Sequence, residues 1–214
     1  MSIALIIQLA LYGIAAYLFG SIPTAVWVGK RFYNIDVREH GSRNAGSTNV
    51  LRVLGLKAAL PVFIVDVLKG LAAVLLIYIV PNFDHDTESF NLTKIALGLL
   101  AVLGHMYPVF AGFRGGKGVA TTLGIAIAIY PYGTLLALAA FVVVFVISKT
   151  VSVSSLTAGL VFPIVTIFVL NSPMWSIRIF AVLVCLLLFY THRKNIGRLL
   201  KGTEPKTSFH KKSS

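Results

Sequence analysis

Residues 58–80 read AALPVFIVDVLKGLAAVLLIYIV, an apolar run that is interrupted by only two charged side chains, Asp66 and Lys69. The run is close to the roughly 20 residues that an α-helix needs to cross a bilayer. Charged groups at membrane depth are costly and usually face a partner or a site, and a three-residue spacing places these two on one helix face. The run therefore predicts a spanning helix with an internal ion pair, which either braces a site or contacts a substrate directly.

Comparable apolar segments recur along the chain and predict further membrane helices. They cover residues 3–28, 95–111, 119–130, 133–147, 155–169 and 176–190. Several are shorter than a bilayer requires, and the pair around YPYG at 130–133 is also compatible with one re-entrant unit. The predicted fold class is an all-α integral membrane protein, a polytopic bundle of about seven transmembrane helices, some of them short. Residues 1–214 are predicted to form one membrane domain, with 203–214 as a flexible cytoplasmic tail.

Composition supports this class and excludes others. The chain is 57% hydrophobic with a mean hydropathy of +0.87, yet its net charge is +12, from 19 Lys and Arg against 7 Asp and Glu. Cytoplasmic basic loops and anionic headgroups explain such an excess, so membrane lipids are expected partners and nucleic acid is not. The single cysteine, Cys185, excludes a disulfide framework and a cysteine metal site. The first basic residue, Lys30, follows the first apolar segment, which predicts a retained helix and not a cleaved signal peptide.

The basic residues also predict an orientation. When the seven spans alternate sides, sixteen Lys and Arg residues are assigned to one side and only two, Lys94 and Arg178, to the other. The positive-inside rule makes the basic side cytoplasmic. The N-terminus is therefore predicted to lie outside and the C-terminus in the cytoplasm.

Two details within the spans carry expectations about packing. Pro23 in GSIPTA breaks the hydrogen-bond ladder of the first segment, so Ser21 and Thr24 are expected to face protein. His105 ends the third segment near the cytoplasmic side. It is expected to be packed, with lining of a cleft as the alternative.

Four polar islands fall on the predicted cytoplasmic side. The first polar island is REHGSRNAGSTNVLR at 38–52, the second GFRGGKGVATTLG at 112–124, the third SKTVSVSS at 148–155 and the fourth THRKNIGRLLKGTEPK at 191–206. Glycines expose backbone amides, Ser, Thr and Asn supply short donors, and Arg and Lys supply charge. This combination favours phosphate binding, whereas a loop that merely rests on lipid headgroups needs charge alone.

In the second polar island, Gly115, Gly116 and Gly118 flank Lys117 where a helix is predicted to begin, so amides and a positive charge are expected to meet an anion there. The spacing does not fit a Walker A loop, which would place Gly at 111 and Ser or Thr at 118. A nucleoside triphosphate site is therefore not expected. The simpler alternative is a glycine-rich turn with an anchoring lysine.

The first and fourth polar islands offer further anion-binding groups. In the first these are Gly41, Ser42, Asn44 and Asn49, together with two guanidinium groups, Arg43 and Arg52, that are able to grip a phosphate bidentately. In the fourth, His192, Asn195 and Arg198 follow one another at three-residue spacing, which places them on one helix face. For a histidine at a membrane boundary, a simple anchoring role is the alternative.

The islands resemble the cytoplasmic motifs of the PlsY family of bacterial membrane glycerol-3-phosphate acyltransferases. The matching stretches are GSRNAGSTN with Arg52, GGKGVAT and HRKNIGRLLKGTE, and GSIPTA, DVLKG and GHMYPVF are similar as well. Arg43 and Ser47 stand where the family is expected to have Gly and Ala. The resemblance implies transfer of a fatty acyl group from acyl-phosphate to the 1-hydroxyl of sn-glycerol 3-phosphate, giving lysophosphatidic acid and inorganic phosphate. It also implies a monomer in the cell inner membrane whose active site faces the cytoplasm, without a cofactor or metal.

Site residues are carried over from the matching motifs. The resemblance implies catalytic roles for Ser42, Arg52, Lys117, His192 and Asn195, and substrate or phosphate binding by Gly41, Asn44, Asn49, Gly115, Gly116, Gly118, Ser154, Ser155 and Arg198. The proton of the attacking hydroxyl is taken either by His192 or by a phosphate oxygen of the substrate. The lack of a carboxylate beside His192 in sequence favours the phosphate. The His and Asp pair of thioester-dependent acyltransferases, five residues apart, is not found in the sequence.

Two other classes of protein are alternatives. A transporter of a phosphorylated metabolite fits short, glycine-broken helices, but the basic islands all lie on one predicted side. A phosphatidyl transferase that uses a nucleotide-activated lipid generally needs a metal and clustered aspartates, and Asp66 is the only acidic residue within the apolar segments.

Overall fold

The computed structural model describes residues 3–80, 83–85 and 87–207, and these residues form helices and loops without a β-strand. The α-helices are α1 (Ile3–Gly20), α2 (Thr24–Tyr33), α3 (Ser47–Leu54), α4 (Leu56–Leu75), α5 (Glu88–Met106), α6 (Val119–Ile129), α7 (Pro131–Ser148), α8 (Val151–Ile164), α9 (Trp175–Thr191) and α10 (Arg193–Leu200). Short 3-10 turns, Leu76–Ile79 and Val109–Ala111, follow α4 and α5, and a π-helical turn, Val165–Val169, follows α8. The all-α prediction is confirmed, while residues 208–214 of the predicted tail lie outside the described residues.

The lengths of these helices support a polytopic membrane protein. Among the described residues, five segments are long and apolar enough to span a bilayer, namely Ile3–Tyr33, Leu56–Ile79, Glu88–Ala111, Pro131–Ser148 and Val151–Val169. A sixth is obtained if α9 and α10, which meet at a bend of 60°, form one span. The helix α6 has only 11 residues, about half of what a bilayer requires. All seven predicted segments are thus helical, but only five or six have the length of a span.

The helices fall into two compact units, Met1–Ile129 (the first unit) and Tyr130–Ser214 (the second unit). In the first unit α1 packs on α5, α4 packs on α6, and α3 lies against α4. In the second unit α8 packs on both α7 and α9. The prediction that residues 1–214 form one membrane domain stays a prediction, as does the predicted orientation.

Glycine allows helix pairs in the first unit to approach closely. A Cβ atom on Gly124 of α6 would overlap the backbone carbonyl of Val67 in α4, and a Cβ on Gly70 of α4 would overlap that of Thr121 in α6. Gly20 makes the same kind of contact between α1 and α5. Since water does not drive helices together inside a bilayer, such close backbone packing is a principal source of their association.

Gly124→Ala is therefore expected to destabilise the first unit by about 1–3 kcal/mol, because the new methyl group meets backbone that cannot rotate away. Gly13→Ala is the matched control, since Gly13 also lies in a membrane helix but its Cβ would approach only the end of the Leu100 side chain, at 3.1 Å. Thermal unfolding in detergent measures both effects. Equal unfolding temperatures for the two variants would contradict this account of the packing.

The break between α1 and α2 lies at Pro23, as the sequence predicts. Ser21 and Thr24 are buried on either side of it, so the expectation that they face protein is confirmed. Lys69 Nζ donates to the carbonyl of Ile22 at 2.9 Å and lies 2.8 Å from Oδ1 of Asp66. The predicted intramembrane ion pair is present, and its lysine also satisfies a carbonyl at the break.

Candidate active site

The first polar island folds around the side chain of Asn49, which is only 2% exposed. Its Oδ1 accepts hydrogen bonds from the backbone N–H of Ser42, at 2.8 Å, and from the Ser42 hydroxyl, at 3.0 Å. Its Nδ2 donates to the carbonyls of Val37, at 2.8 Å, and His40, at 3.1 Å. Both N–H bonds of the amide are used in this way, so Asn49 shapes the loop and has no donor left for the phosphate contact that the sequence predicts.

Two residues with left-handed backbone turn the loop that carries Ser42. Gly41 and Arg43 both have a φ of 58°. A side chain at position 41 would also collide with Oδ1 of Asn49, so glycine is required there. Gly41, Ser42 and Arg43 are exposed, as is Arg52 in α3. The donors predicted to bind phosphate are therefore presented at the surface of the first unit.

An ion pair that the sequence pattern did not indicate anchors this loop. The Arg38 guanidinium grips both carboxylate oxygens of Asp36, at 2.9 Å from Nε and 2.7 Å from Nη2, and Lys30 Nζ lies 3.3 Å from the same carboxylate. The hydrogen bond from Arg38 holds the pKa of Asp36 well below its usual range. Arg38 Nη1 also donates to the carbonyls of Ala111, at 2.7 Å, and Arg114, at 3.3 Å. The first polar island is thereby joined to the start of the second.

The amides of Gly115 and Gly116 point inward, contrary to the prediction that they face a phosphate. The N–H of Gly115 donates to the carbonyl of Met106 and that of Gly116 to the carbonyl of His105, both at 3.1 Å. The last carbonyls of a helix need donors from outside it, and α5 takes them from these glycines. A Cβ on Gly116 would also overlap the His105 ring and lie 3.0 Å from the carbonyl oxygen of Ala45. The glycines thus permit close packing against α5 and the first polar island.

Lys117 follows these glycines and is half-buried just before α6 begins at Val119. Gly118, between them, has a φ of 80°, and its carbonyl accepts the N–H of Thr122 at 2.7 Å. Lys117 therefore lies at the positive end of a helix dipole, as the sequence predicts, and this position favours a bound anion.

In the second unit the third and fourth polar islands meet at Glu204, whose role the sequence pattern did not indicate. Oε1 accepts hydrogen bonds from the Ser152 hydroxyl, at 2.8 Å, and from Asn195 Nδ2, at 2.6 Å. Oε2 accepts one from Arg198 Nε, at 2.6 Å. The Glu204 carboxylate therefore holds Asn195 and Arg198 in place and links them to the start of α8.

The protonation of Glu204 should control how firmly this segment is held. Burial raises the pKa of Glu204, but the hydrogen bonds from Arg198, Asn195 and Ser152 lower it by more, so the pKa lies below its ordinary value. A carboxyl whose pKa is depressed in the folded state adds stability above its unfolded pKa, and this stability is lost as the pH falls through the folded pKa. Docking of residues 201–207 is therefore expected to be complete at neutral pH and to weaken only in acid.

Glu204→Gln is expected to loosen residues 201–207 even at neutral pH, because an amide cannot keep the charge-assisted bond to Arg198. The N–H of Thr207 donates to the carbonyl of Lys149 at 2.7 Å and reports on this docking. Its hydrogen-exchange protection should fall in acid for the wild type and be low at every pH for the variant. Glu39→Gln, which removes an exposed carboxylate from the first unit, is the control. Unchanged protection in Glu204→Gln would refute the docking role.

His192 is oriented by the backbone. It is 3% exposed, and its Nδ1 lies 2.8 Å from the carbonyl oxygen of Leu188. Because a carbonyl can only accept, Nδ1 carries the hydrogen, and in the neutral ring Nε2 is the acceptor. The Leu188 carbonyl thus orients the ring, a role for which the sequence offers no carboxylate adjacent to His192.

The two serines near the start of α8 differ in their hydrogen bonds. Both are buried, and the Ser154 hydroxyl donates to the carbonyl of Thr150 at 3.0 Å. The Ser155 hydroxyl makes no hydrogen bond with any described residue. Because buried hydroxyls rarely stay unpaired, Ser155 is the better candidate for a ligand contact.

The structure gathers the predicted site residues into two groups. The first unit holds Gly41, Ser42, Asn44, Asn49, Arg52, Gly115, Gly116, Lys117 and Gly118, and the second unit holds Ser154, Ser155, His192, Asn195 and Arg198. Within the ranges that the structure describes, no group of three or more His, Cys, Asp or Glu is arranged to hold a metal ion. The substrate contacts of these residues stay predictions.

Comparisons with known proteins agree on one family. The family model described as glycerol-3-phosphate acyltransferase matches residues 10–202. A curated protein of that name from Fusobacterium nucleatum is 41% identical over 197 residues, which cover 92% of this chain and 96% of the relative. One from Listeria monocytogenes is 42% identical over 201 residues, which cover 94% of this chain and 97% of the relative. Two crystal structures of PlsY (YgiH), described as an integral membrane glycerol 3-phosphate acyltransferase, are 38% identical, with TM-scores of 0.81 and 0.78, and the matches cover 94% of this chain and 96% of theirs. One is a glycerol 3-phosphate form and the other a lysophosphatidic acid form.

Proposed function

We propose a specific reaction for this chain from the premise that it belongs to the glycerol-3-phosphate acyltransferase family, the family shown by the matching model and the curated relatives. The chain is therefore a membrane acyltransferase. In the proposed reaction a fatty acyl group passes from acyl-phosphate to the 1-hydroxyl of sn-glycerol 3-phosphate. The products are lysophosphatidic acid, which a solved relative carries in one of its forms, and inorganic phosphate. This would be the first acylation of phospholipid biosynthesis.

The observation that carries the proposal is the joining of the first and second polar islands in the first unit. Arg38 bonds the first polar island to the carbonyls of Ala111 and Arg114, and Ala45 lies against Gly116. Two cationic, donor-rich segments that are far apart in sequence are thus held on one framework. Such a framework suits a reaction in which the donor and the acceptor both carry a phosphate.

Acyl-phosphate fits these residues better than a thioester donor. Phosphate is a good leaving group, so catalysis can depend on positioning and charge stabilisation with little demand for a strong base. The sequence accords with this, because no histidine is followed five residues later by the aspartate of thioester-dependent acyltransferases.

In the first unit, Arg52 and Lys117 are proposed to bind the phosphate and to stabilise the charge that develops on the acyl carbonyl and leaving group. Ser42 adds a hydroxyl donor, which needs only to rotate its O–H away from Asn49. Asn49 takes a positioning role in this proposal, as do Gly115 and Gly116, whose N–H groups are already used.

In the second unit, His192 and Asn195 are proposed to bind glycerol 3-phosphate. In the tautomer that the Leu188 carbonyl selects, His192 Nε2 is an acceptor that orients a glycerol hydroxyl, while the hydrogen of the 1-hydroxyl stays directed at the substrate phosphate. Arg198 donates to Glu204 through Nε, so its Nη groups can meet an anion. Ser155 adds a hydroxyl to phosphate binding.

The proposed chemical step is a direct displacement at the acyl carbon. The 1-hydroxyl oxygen attacks the acyl carbonyl carbon, a new C–O ester bond forms, and the C–O bond to the phosphate breaks. The hydroxyl proton passes to a phosphate oxygen of the substrate, and the electron pair of the broken bond leaves with inorganic phosphate. The residues contribute orientation and charge stabilisation, and no cofactor or metal takes part in the step.

The reaction is proposed to occur at the cytoplasmic face of the cell inner membrane, catalysed by a monomer of one membrane domain. The one-sided distribution of basic residues supports this orientation. A soluble phosphorylated acceptor would reach the site from the cytoplasm, while the acyl chain of the donor and product stays in the bilayer.

Labelled glycerol 3-phosphate, offered to the purified protein with palmitoyl-phosphate, palmitoyl-coenzyme A or a palmitoylated carrier protein, tests the donor. We expect labelled lysophosphatidic acid, identified by mass spectrometry, with palmitoyl-phosphate and little with either thioester. Faster product formation from a thioester would contradict the proposed donor while leaving the family unchanged.

A further inference from the structure

A buried polar cluster in the first unit has no part in the reaction as proposed above. It consists of Asp66, Lys69, His105 and Thr24, which are 2%, 5%, 6% and 9% exposed. Asp66 Oδ1 lies 2.8 Å from Lys69 Nζ and 3.4 Å from the Thr24 hydroxyl, and 3.8 Å from His105 Nδ1. The lysine balances the carboxylate, which makes a charged group tolerable at this depth.

His105 connects this cluster to the second polar island. Its imidazole lies so close to Gly116 that a Cβ there would overlap Nε2. Its carbonyl accepts the N–H of Gly116, and the carbonyl of the next residue, Met106, accepts that of Gly115. Both the ring and the backbone of this turn therefore fix the two residues that precede Lys117.

The other ring nitrogen of His105 faces the cluster. Nδ1 is buried and makes no hydrogen bond with any of the residues described, and 3.8 Å from the Asp66 carboxylate is beyond hydrogen-bond distance. A buried polar atom without a hydrogen bond lowers the stability of the fold, so in native structures such an atom usually has a structural or functional explanation. The Nε2 edge of the ring lies against Gly116, and the negative charge of Asp66, 3.8 Å from Nδ1, attracts a hydrogen on Nδ1 and so orients the ring.

We propose that Asp66 is a positioning residue for acyl transfer, which acts through the His105 imidazole to fix the Gly115–Gly116 backbone and so the position of Lys117. This inference rests on the proposed role of Lys117. The competing explanation is that Asp66 and Lys69 only join α4 to the break between α1 and α2. The two explanations differ in what they expect of His105 and Thr24.

The test compares Asp66→Asn, His105→Gln and Thr24→Val in purified protein, with palmitoyl-phosphate and glycerol 3-phosphate as substrates. Asp66→Asn and His105→Gln should each lower kcat about tenfold or more, since small misplacements of a catalytic group have effects of this size or larger. The double variant should be no slower than the slower single variant, because both changes break one path. Thr24→Val removes a hydrogen bond to the same carboxylate oxygen but leaves Asp66 and His105 in place, and should keep kcat while lowering the unfolding temperature.

Wild-type kcat and KM in both Asp66→Asn and His105→Gln, with only the unfolding temperature lowered, would overturn the proposal. Multiplied losses in the double variant would do so as well, since they would show two independent effects. If Asp66→Asn does not accumulate because Lys69 is left unpaired, Asp66→Asn with Lys69→Met replaces it, and the same kcat loss is expected. An inactive wild type would instead contradict the proposed function, so the two failures are distinguishable.

Discussion

Lys117→Met is expected to lower kcat for acyl transfer about a hundredfold or more, while the protein still inserts into the membrane and folds. Lys117 is half-buried at the start of α6, where its charge adds to the helix dipole. Removing one group that stabilises charge in a transition state commonly costs about 10²–10³ in rate. Initial rates with palmitoyl-phosphate and glycerol 3-phosphate in detergent measure the loss.

The control for this prediction is Lys57→Met. Lys57 is an exposed basic residue at the start of α4, in the same unit, and the change removes an equal charge from the same predicted membrane face. Its rate should stay near that of the wild type. A Lys117→Met enzyme with near-normal rates, or an equal loss in both variants, would refute a specific role for Lys117.

Arg52→Ala is expected to lower kcat/KM about a hundredfold, and Arg52→Lys is expected to restore only part of it, leaving a loss of about tenfold. Arg52 is exposed on α3, which packs against α4 in the first unit. A guanidinium can hold a phosphate through two parallel hydrogen bonds, and an ammonium keeps the charge without this geometry. Rates measured as a function of each substrate show which phosphate is affected.

Arg31→Ala provides the comparison for Arg52, because Arg31 is an exposed arginine of the same unit, in α2. It should have little effect on either substrate. Full activity in Arg52→Lys would show that charge alone suffices and would contradict bidentate binding. Near-normal activity in Arg52→Ala would remove Arg52 from the site.

The spacing of the polar residues within the apolar segments was enough to predict one ion pair and two buried hydroxyl side chains in the first unit. Asp66 and Lys69 are three residues apart in an apolar run, and only a helix brings them together there. The burial of Ser21 and Thr24 followed from Pro23, because a proline removes a backbone hydrogen bond whose loss has to be compensated by neighbouring protein. Such inferences succeed because helix geometry is local.

The parts that depend on tertiary contacts were not predictable in the same way. Glycine beside a lysine is found both in anion-binding loops and where two backbones approach closely. The carbonyls at the end of α5, which accept the N–H groups of Gly115 and Gly116, show that these two glycines serve close packing. Glu204 gathers Ser152, Asn195 and Arg198 across separate segments, which no spacing rule reveals.

The length of each helix was also beyond the sequence pattern. The apolar segment at 119–130 is one of the seven predicted spans, and the structure gives it a helix, α6, of 11 residues, about half of what a bilayer requires, so its crossing stays a prediction. Hydropathy shows that a segment is apolar, but it does not show whether the segment contacts lipid or other helices. The helix α6 packs against α4.

The most direct test of the central claim is phosphate release by the purified protein from palmitoyl-phosphate, with and without glycerol 3-phosphate, in the presence of a chelator and with no metal added. We predict that release depends on glycerol 3-phosphate, continues in the chelator and matches the lysophosphatidic acid formed in a one-to-one ratio. Absence of release while glycerol 3-phosphate still binds, or release that needs a metal, would contradict the proposed reaction.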